Sequence, residues 1–129
     1  MYLLDSDFLI NFLNGKPEAA ATFTKIKDFG LATSVICVAE ILEGIYFFDN
    51  MDKLDSFSKL LKKITVINVD LLCASRFAAL NSALRKAGNT LDKFDTLIAA
   101  TCLASNLILV TGNKKHFERI KKLKIYDDS

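Results

Sequence analysis

A chain of 129 residues has room for one domain, and 51% hydrophobic with 25% charged residues is a globular balance that excludes a disordered or low-complexity polypeptide. Seventeen basic against fifteen acidic side chains leave a formal charge of +2, which excludes a histone-like binder but not moderate nucleic-acid binding, because placement matters more than the sum. Cys37, Cys73 and Cys102 stand alone, with no C-x-x-C; they argue against a disulfide framework or a zinc site, and a single histidine excludes a His-rich metal site.

Residues 2–4 form a short apolar strand. The helix predicted over 6–13 stops at Asn14-Gly15, a C-terminal signal, and Pro17 suits the first turn of the next helix, over 17–29. A strand over 31–33 leads to Ser34, a suitable N-cap for a long helix reaching residue 48. That helix, VICVAEILEGIYFF, is apolar almost all round, which predicts burial on most sides. A helix with its charges on one face follows over 52–63, then a β-branched strand over 65–68. Asp70 caps a helix that runs to residue 87 and closes at Gly88. A second nearly all-apolar helix covers 92–105, followed by a strand over 107–111, a short helix over 114–120 and a fifth candidate strand over 124–126.

Strands that alternate with helices predict an α/β fold with a mostly parallel sheet covered on both faces. Ligands in such sheets bind beyond the carboxyl ends of the strands, which directs attention to the residues just after Leu4, Thr33 and Thr111. The uncharged run over 96–113 is shorter than the roughly 20 apolar residues that span a bilayer, and Ser105-Asn106 interrupts it. MYLLDSDFLI carries two acids and no basic region, so it does not read as a signal peptide. These features fit a reducing cytoplasm and no membrane.

Three of the acids sit where a solvated charge is not expected. Asp5 ends the first strand, although Asp there also suits a helix cap. Glu40 lies inside ICVAEIL, where a lone buried carboxylate costs several kcal/mol unless something compensates; Glu43 shares its face one turn on. Asp95 lies in the first turn of the helix behind Asp92, where the two acids also resemble a capping box. In a parallel sheet these three places can converge on one crevice. Several carboxylates in one crevice repel each other unless a cation sits among them, and oxygen ligands suit Mg²⁺ or Mn²⁺. An acidic pocket with such an ion is the usual equipment for hydrolysing phosphodiesters. Between residues 114 and 124 six basic side chains (Lys114, Lys115, Arg119, Lys121, Lys122, Lys124) face one acid, Glu118. That segment is either a solvated face or a grip for flanking phosphates through Lys114, Lys115 and Arg119.

MYLLDSDFLINFLNG, TSVICVAEILEG, LDKFDTLIAAT and LILVTGNKKHFERI, in that order and at those distances, resemble the PIN-domain nucleases and, more closely, the VapC toxins of VapBC toxin–antitoxin modules. The resemblance covers nearly the whole chain. It implies a PIN-like fold, a single domain over 1–129 with four or five parallel strands between helices, and a Mg²⁺- or Mn²⁺-dependent endoribonuclease. It puts the metal-binding and catalytic acids on Asp5, Glu40 and Asp95, with Thr111 and Asn113 as supporting polar groups. It also implies a homodimer and a small VapB-like antitoxin that enters the active-site groove.

The chain departs from the family pattern in three places. Asp7 stands where members usually carry Asn, which adds a carboxylate near Asp5. His116 replaces a fourth acid, and either contacts phosphate or is an ordinary helix-end histidine. Lys93 stands where many relatives have an acid, with Asp92 one position away. The departures at His116 and Lys93 bear on the number of metal ions, and the loss of the fourth acid leaves open a catalytically silent PIN-like binding module. A PIN nuclease of RNA processing, outside any toxin pair, is the other alternative.

Overall fold

The computed structural model describes residues 1–128. Four parallel strands form one sheet: β1 (Tyr2–Leu4), β2 (Leu31–Ser34), β3 (Thr65–Ile67) and β4 (Ile108–Val110), in the order β3-β2-β1-β4. The chain steps outward from β1 through β2 to β3, then crosses back to lay β4 on the other side of β1. The connections therefore diverge between β1 and β4, the place in such a sheet where a crevice is expected beyond the carboxyl ends of the strands. The backbone N–H of Asp5 donates to the Val110 carbonyl at 3.1 Å and closes the sheet at that point.

Helices cover both faces. Alternation along β1 sends Leu3 to one side and Leu4 to the other, and each is fully buried. Leu3 joins a core with Leu84, Ile98, Cys102, Leu109 and Phe117, supplied by α5 (Leu71–Lys86), α6 (Lys93–Ser105), β4 and the short α7 (Lys114–Phe117). Leu4 joins Phe8, Leu9, Ile41, Ile45, Phe57 and Val110, supplied by α1 (Ser6–Leu13), α3 (Val35–Phe47), α4 (Met51–Leu61) and β4. α2 (Pro17–Ile26) completes that second layer through Ala19 and Ile26. No helix among the described residues is long and apolar enough to cross a membrane.

The helix starts follow local chemistry. Asp5, Ser34, Asn50, Asp70 and Asp92 each accept a backbone N–H of the first turn they precede. Asn106 adopts a left-handed conformation (φ 52°) and ends α6, so the uncharged run breaks into a helix and a strand.

Four expectations are corrected. The helix predicted over 17–29 ends at Ile26, and its last turn tightens into a 3-10 turn over Lys27–Phe29 before Gly30. The helix predicted over 114–120 ends at Phe117. The candidate strand over 124–126 reduces to a single parallel bridge between Leu109 and Ile125. Most consequentially, α3 is not buried on most sides. Cys37, Ile41 and Ile45 form its one buried stripe, while Tyr46, Phe47 and Phe48 are 58%, 78% and 76% exposed. One layer of helix on a sheet has only one inner face, so the remaining apolar side chains are left uncovered within a single chain.

Candidate active site

Asp5 leaves β1 at the crevice and is only 3% exposed. Its Oδ1 accepts the Phe8 N–H at 2.8 Å, so the carboxylate caps α1. Burial pushes its carboxyl up to about 7; the Thr111 side chain and the Phe8 amide oppose the rise, and the charges of Asp7 and Asp95 add to it. Thr111, buried at the end of β4, accepts the Asn113 N–H on its hydroxyl oxygen at 3.0 Å, which leaves the hydroxyl proton for Asp5.

Glu40 reaches the same region from α3. Ser6 Oγ donates to its Oε1 at 3.0 Å. Partial burial raises its carboxyl above the usual range, Ser6 opposes this, and Asp95, Asp7 and Asp92 reinforce it. Asp95 arrives from the first turn of α6, where Asp92 accepts the Phe94 N–H at 3.0 Å and the Asp95 N–H at 3.4 Å. Burial raises the Asp95 carboxyl as well, His116 opposes it, and Asp92 and Asp7 add to it. The Asp95 charge thus raises the carboxyls of both Asp5 and Glu40, although the three residues are far apart in the chain.

Of the secondary positions, Asp7, Glu43 and Asp92 rim a cavity of about 530 Å³ beside Glu40, together with Ser6 and Phe94. Asn113 is exposed and participates through its backbone N–H rather than its side chain. Lys114 pairs with Asp127 at 3.4 Å, and Lys115 is exposed. Arg119 donates to two carbonyls, Nε to His116 at 3.1 Å and Nη1 to Thr90 at 2.8 Å, which pins α7 beside the start of α6. His116 is no free helix-end residue: its Nε2 lies 3.1 Å from Asp95 Oδ2.

Sequence reasoning missed three contributors. Ser6 holds Glu40, and its only signal was a hydroxyl between two acids in LLDSD. Thr33 Oγ1 donates to the Leu4 carbonyl at 2.7 Å, directly ahead of Asp5. Gly112 lies where an added Cβ would come 3.2 Å from Asn11 Nδ2, so the turn between Thr111 and Asn113 passes close over α1.

The PIN domain family model matches residues 2–123. The chain belongs to the PIN-domain family. Ribonuclease VapC1 of Methanocaldococcus jannaschii is 36% identical to it over 128 residues, covering 97% of this chain and 86% of that protein. Ribonuclease VapC2 of Rickettsia felis is 30% identical over 129 residues, covering 95% and 94%. The crystal structure of VapBC2 from Rickettsia felis, bound to a DNA fragment from their promoter, matches the fold with a TM-score of 0.85 at 27% identity, over 97% of this chain and 96% of that one.

In this PIN domain the donor set suits a hard, partly hydrated cation. No three His, Cys, Asp or Glu side chains among the described residues stand close enough together to hold a metal ion between them. Mg²⁺ does not need such a group, since it keeps several waters and is held through one or two carboxylates. Three carboxyls raised by burial and mutual repulsion would be relieved by a positive charge near them. His116 Nε2 is shut off from solvent and makes no hydrogen bond, which leaves a ring nitrogen also in want of a partner there.

Proposed function

We propose that the chain is a divalent-metal-dependent endoribonuclease and the toxin of a VapBC-like pair, acting on cytoplasmic RNA. What supports this reading is buried Asp5 just past the end of β1, with Asp95 acting on both its carboxyl and that of Glu40, in a PIN domain similar to VapC ribonucleases. Asp5, Asp95 and Glu40 would hold Mg²⁺ or Mn²⁺, directly or through water. When bound, the ion supplies activation of a water and neutralisation of charge on the scissile phosphate. Glu40 keeps Oε1 on Ser6 and has Oε2 to take a proton from the attacking water. Thr111 and the α1 amide at Phe8 fix the Asp5 carboxylate, so that its position is set before substrate arrives. Lys114 and Lys115 would grip flanking phosphates.

The partner surface lies next to the site. A groove of about 310 Å³ runs between α1, α3 and α4, lined by Ile10, Leu13, Ile41, Ile45 and Phe48, with Glu40 and Lys53 among its polar walls. Such a groove accepts an apolar helix face, as a VapB-like antitoxin would offer. The exposed Tyr46, Phe47, Leu71 and Leu72 give a homodimer apolar surface to bury.

A second reading has one observation in its favour. His116 stands in place of an acid and against Asp95, as in a PIN-like module that has lost catalysis and kept its partner surface. Purified, antitoxin-free protein incubated with structured RNA in Mg²⁺, Mn²⁺ or EDTA, beside Asp5→Asn, separates the two. Cleavage that needs metal and is lost with Asp5 supports the nuclease. Absence of both cleavage and thermal stabilisation by Mn²⁺ supports the silent module. Growth arrest on expression, relieved by the product of a neighbouring reading frame, distinguishes a toxin from a nuclease of RNA processing.

A further inference from the structure

We infer that His116 is itself a metal ligand, and that its imidazole makes the crevice prefer Mn²⁺ or a later first-row ion over Mg²⁺. The inference rests on the metal-dependent reading above and adds to it a nitrogen donor and a metal preference.

Three observations carry it. His116 Nε2 lies 3.1 Å from Asp95 Oδ2, yet the approach lacks the geometry of a hydrogen bond, and the nitrogen is shut off from solvent with no other partner. A structural His–Asp pair is expected to form that hydrogen bond, because both groups gain from it. Two ligands at adjacent corners of an octahedral ion, each about 2.1 Å from it, stand roughly 3 Å apart, and they point at the ion rather than at each other. The spacing is that of neighbouring ligands, and the missing hydrogen bond leaves the nitrogen lone pair available to an ion.

The second observation is that the ring is held in place. The His116 N–H donates to the Asn113 carbonyl at 3.2 Å, and its own carbonyl accepts Arg119 Nε. Arg119 Nη1 reaches the Thr90 carbonyl, two residues ahead of the Asp92 cap of α6. Phe117, the next residue, is buried in the core and packs its ring 5.8 Å from the imidazole. The segment that carries His116 is thus tied to the helix start that carries Asp95, which is the fixed mutual placement two ligands of one ion need.

The third is the chemistry of the donor. Mg²⁺ takes oxygen, whereas an imidazole nitrogen suits Mn²⁺ and the later first-row ions increasingly well. One nitrogen among carboxylate oxygens therefore tilts the site away from Mg²⁺.

The chain contains a single histidine, so a nitrogen signal from a coordinated imidazole has only one source in tag-free protein. The experiment is pulsed electron paramagnetic resonance on antitoxin-free full-length protein loaded with Mn²⁺, with Mg²⁺ competition followed by the free-Mn²⁺ signal. The expected result is ¹⁴N modulation from a directly bonded imidazole in the wild type, its loss in His116→Asp, and loss of Mn²⁺ binding in Asp95→Asn. The Mn²⁺-over-Mg²⁺ preference should fall roughly tenfold in His116→Asp, as an oxygen donor replaces nitrogen. Mn²⁺ bound in an Asp95-dependent way without ¹⁴N modulation overturns the role of His116 and leaves the nuclease reading standing. No Mn²⁺ binding up to millimolar concentration overturns both. The wild-type spectrum decides the ligand question without requiring any variant to fold.

Discussion

The hydroxyl of Thr33 donates a 2.7 Å hydrogen bond to the carbonyl of Leu4, and both residues are fully buried. The bond crosses from β2 to β1 one residue before Asp5, so a side chain continues the strand pairing to the edge of the crevice. It fixes where the Asp5 carboxylate emerges.

Thr33→Val keeps the shape and leaves the Leu4 carbonyl without its partner. The expected cost is about 1–3 kcal/mol, the penalty of an unsatisfied buried acceptor. Urea denaturation measures it. Cleavage activity should fall further than the loss of folded protein accounts for, because Asp5 is no longer held; an unchanged specific activity would show that Asp5 is placed by its helix cap alone.

Ser6→Ala tests the support of Glu40. One partly buried hydrogen bond is lost, so stability should fall by about 1 kcal/mol or less. Activity should fall roughly tenfold, the scale seen when a group that orients a metal-site carboxylate is removed. Ser6 holds the Glu40 pKa down, so its removal raises that pKa further. The acidic limb of kcat/KM against pH should therefore move to higher pH; a limb that stays in place assigns the ascending titration to another group.

Asp5 makes the metal-free protein pH-sensitive. Its carboxyl rises from 3.8 to about 7 on folding, chiefly through burial. Between those values the native chain holds a proton that the unfolded chain releases. The stabilisation is fully present below the lower value and is lost as pH rises through the upper one, by on the order of a few kcal/mol. Glu40 and Asp95 are raised as well and act with the same sign. In EDTA, stability should be higher at pH 5 than at pH 8, and Asp5→Asn should flatten that slope while gaining stability at pH 8. The same variant should lose roughly 100-fold or more in RNA cleavage, the scale of removing one charge-stabilising group. Guanidinium melts across the pH range and a cleavage assay check the two halves separately.

Phe48 is 76% exposed and lines the apolar groove. Phe48→Glu should leave the isolated chain's stability within about 0.5 kcal/mol, as surface changes usually do. It should weaken capture of a VapB-like antitoxin at least tenfold, measured by calorimetry. Full affinity with the variant would place the antitoxin elsewhere.

Much of this protein is legible in its sequence because the signals are local. Asp5, Ser34, Asp70 and Asp92 cap helices where the chain's short-range chemistry says they should, and the apolar strands between them specify a parallel α/β sheet. The out-of-place acids could be picked out because a carboxylate beside apolar neighbours is costly whatever the fold. Tertiary structure alone decided the rest. The strand order puts β4 beside β1, and only that order brings Asp95, with His116 against it, within electrostatic reach of Asp5 at the start of the chain. Ser6, Thr33 and His116 are ordinary polar residues until a partner from another element stands opposite them, and no spacing along the chain encodes that partner. The same holds for α3: its composition announces an apolar helix, but whether its second face meets the core or the outside depends on how many layers pack around it, and a single sheet with one helical layer on each side leaves Phe47 and Phe48 exposed.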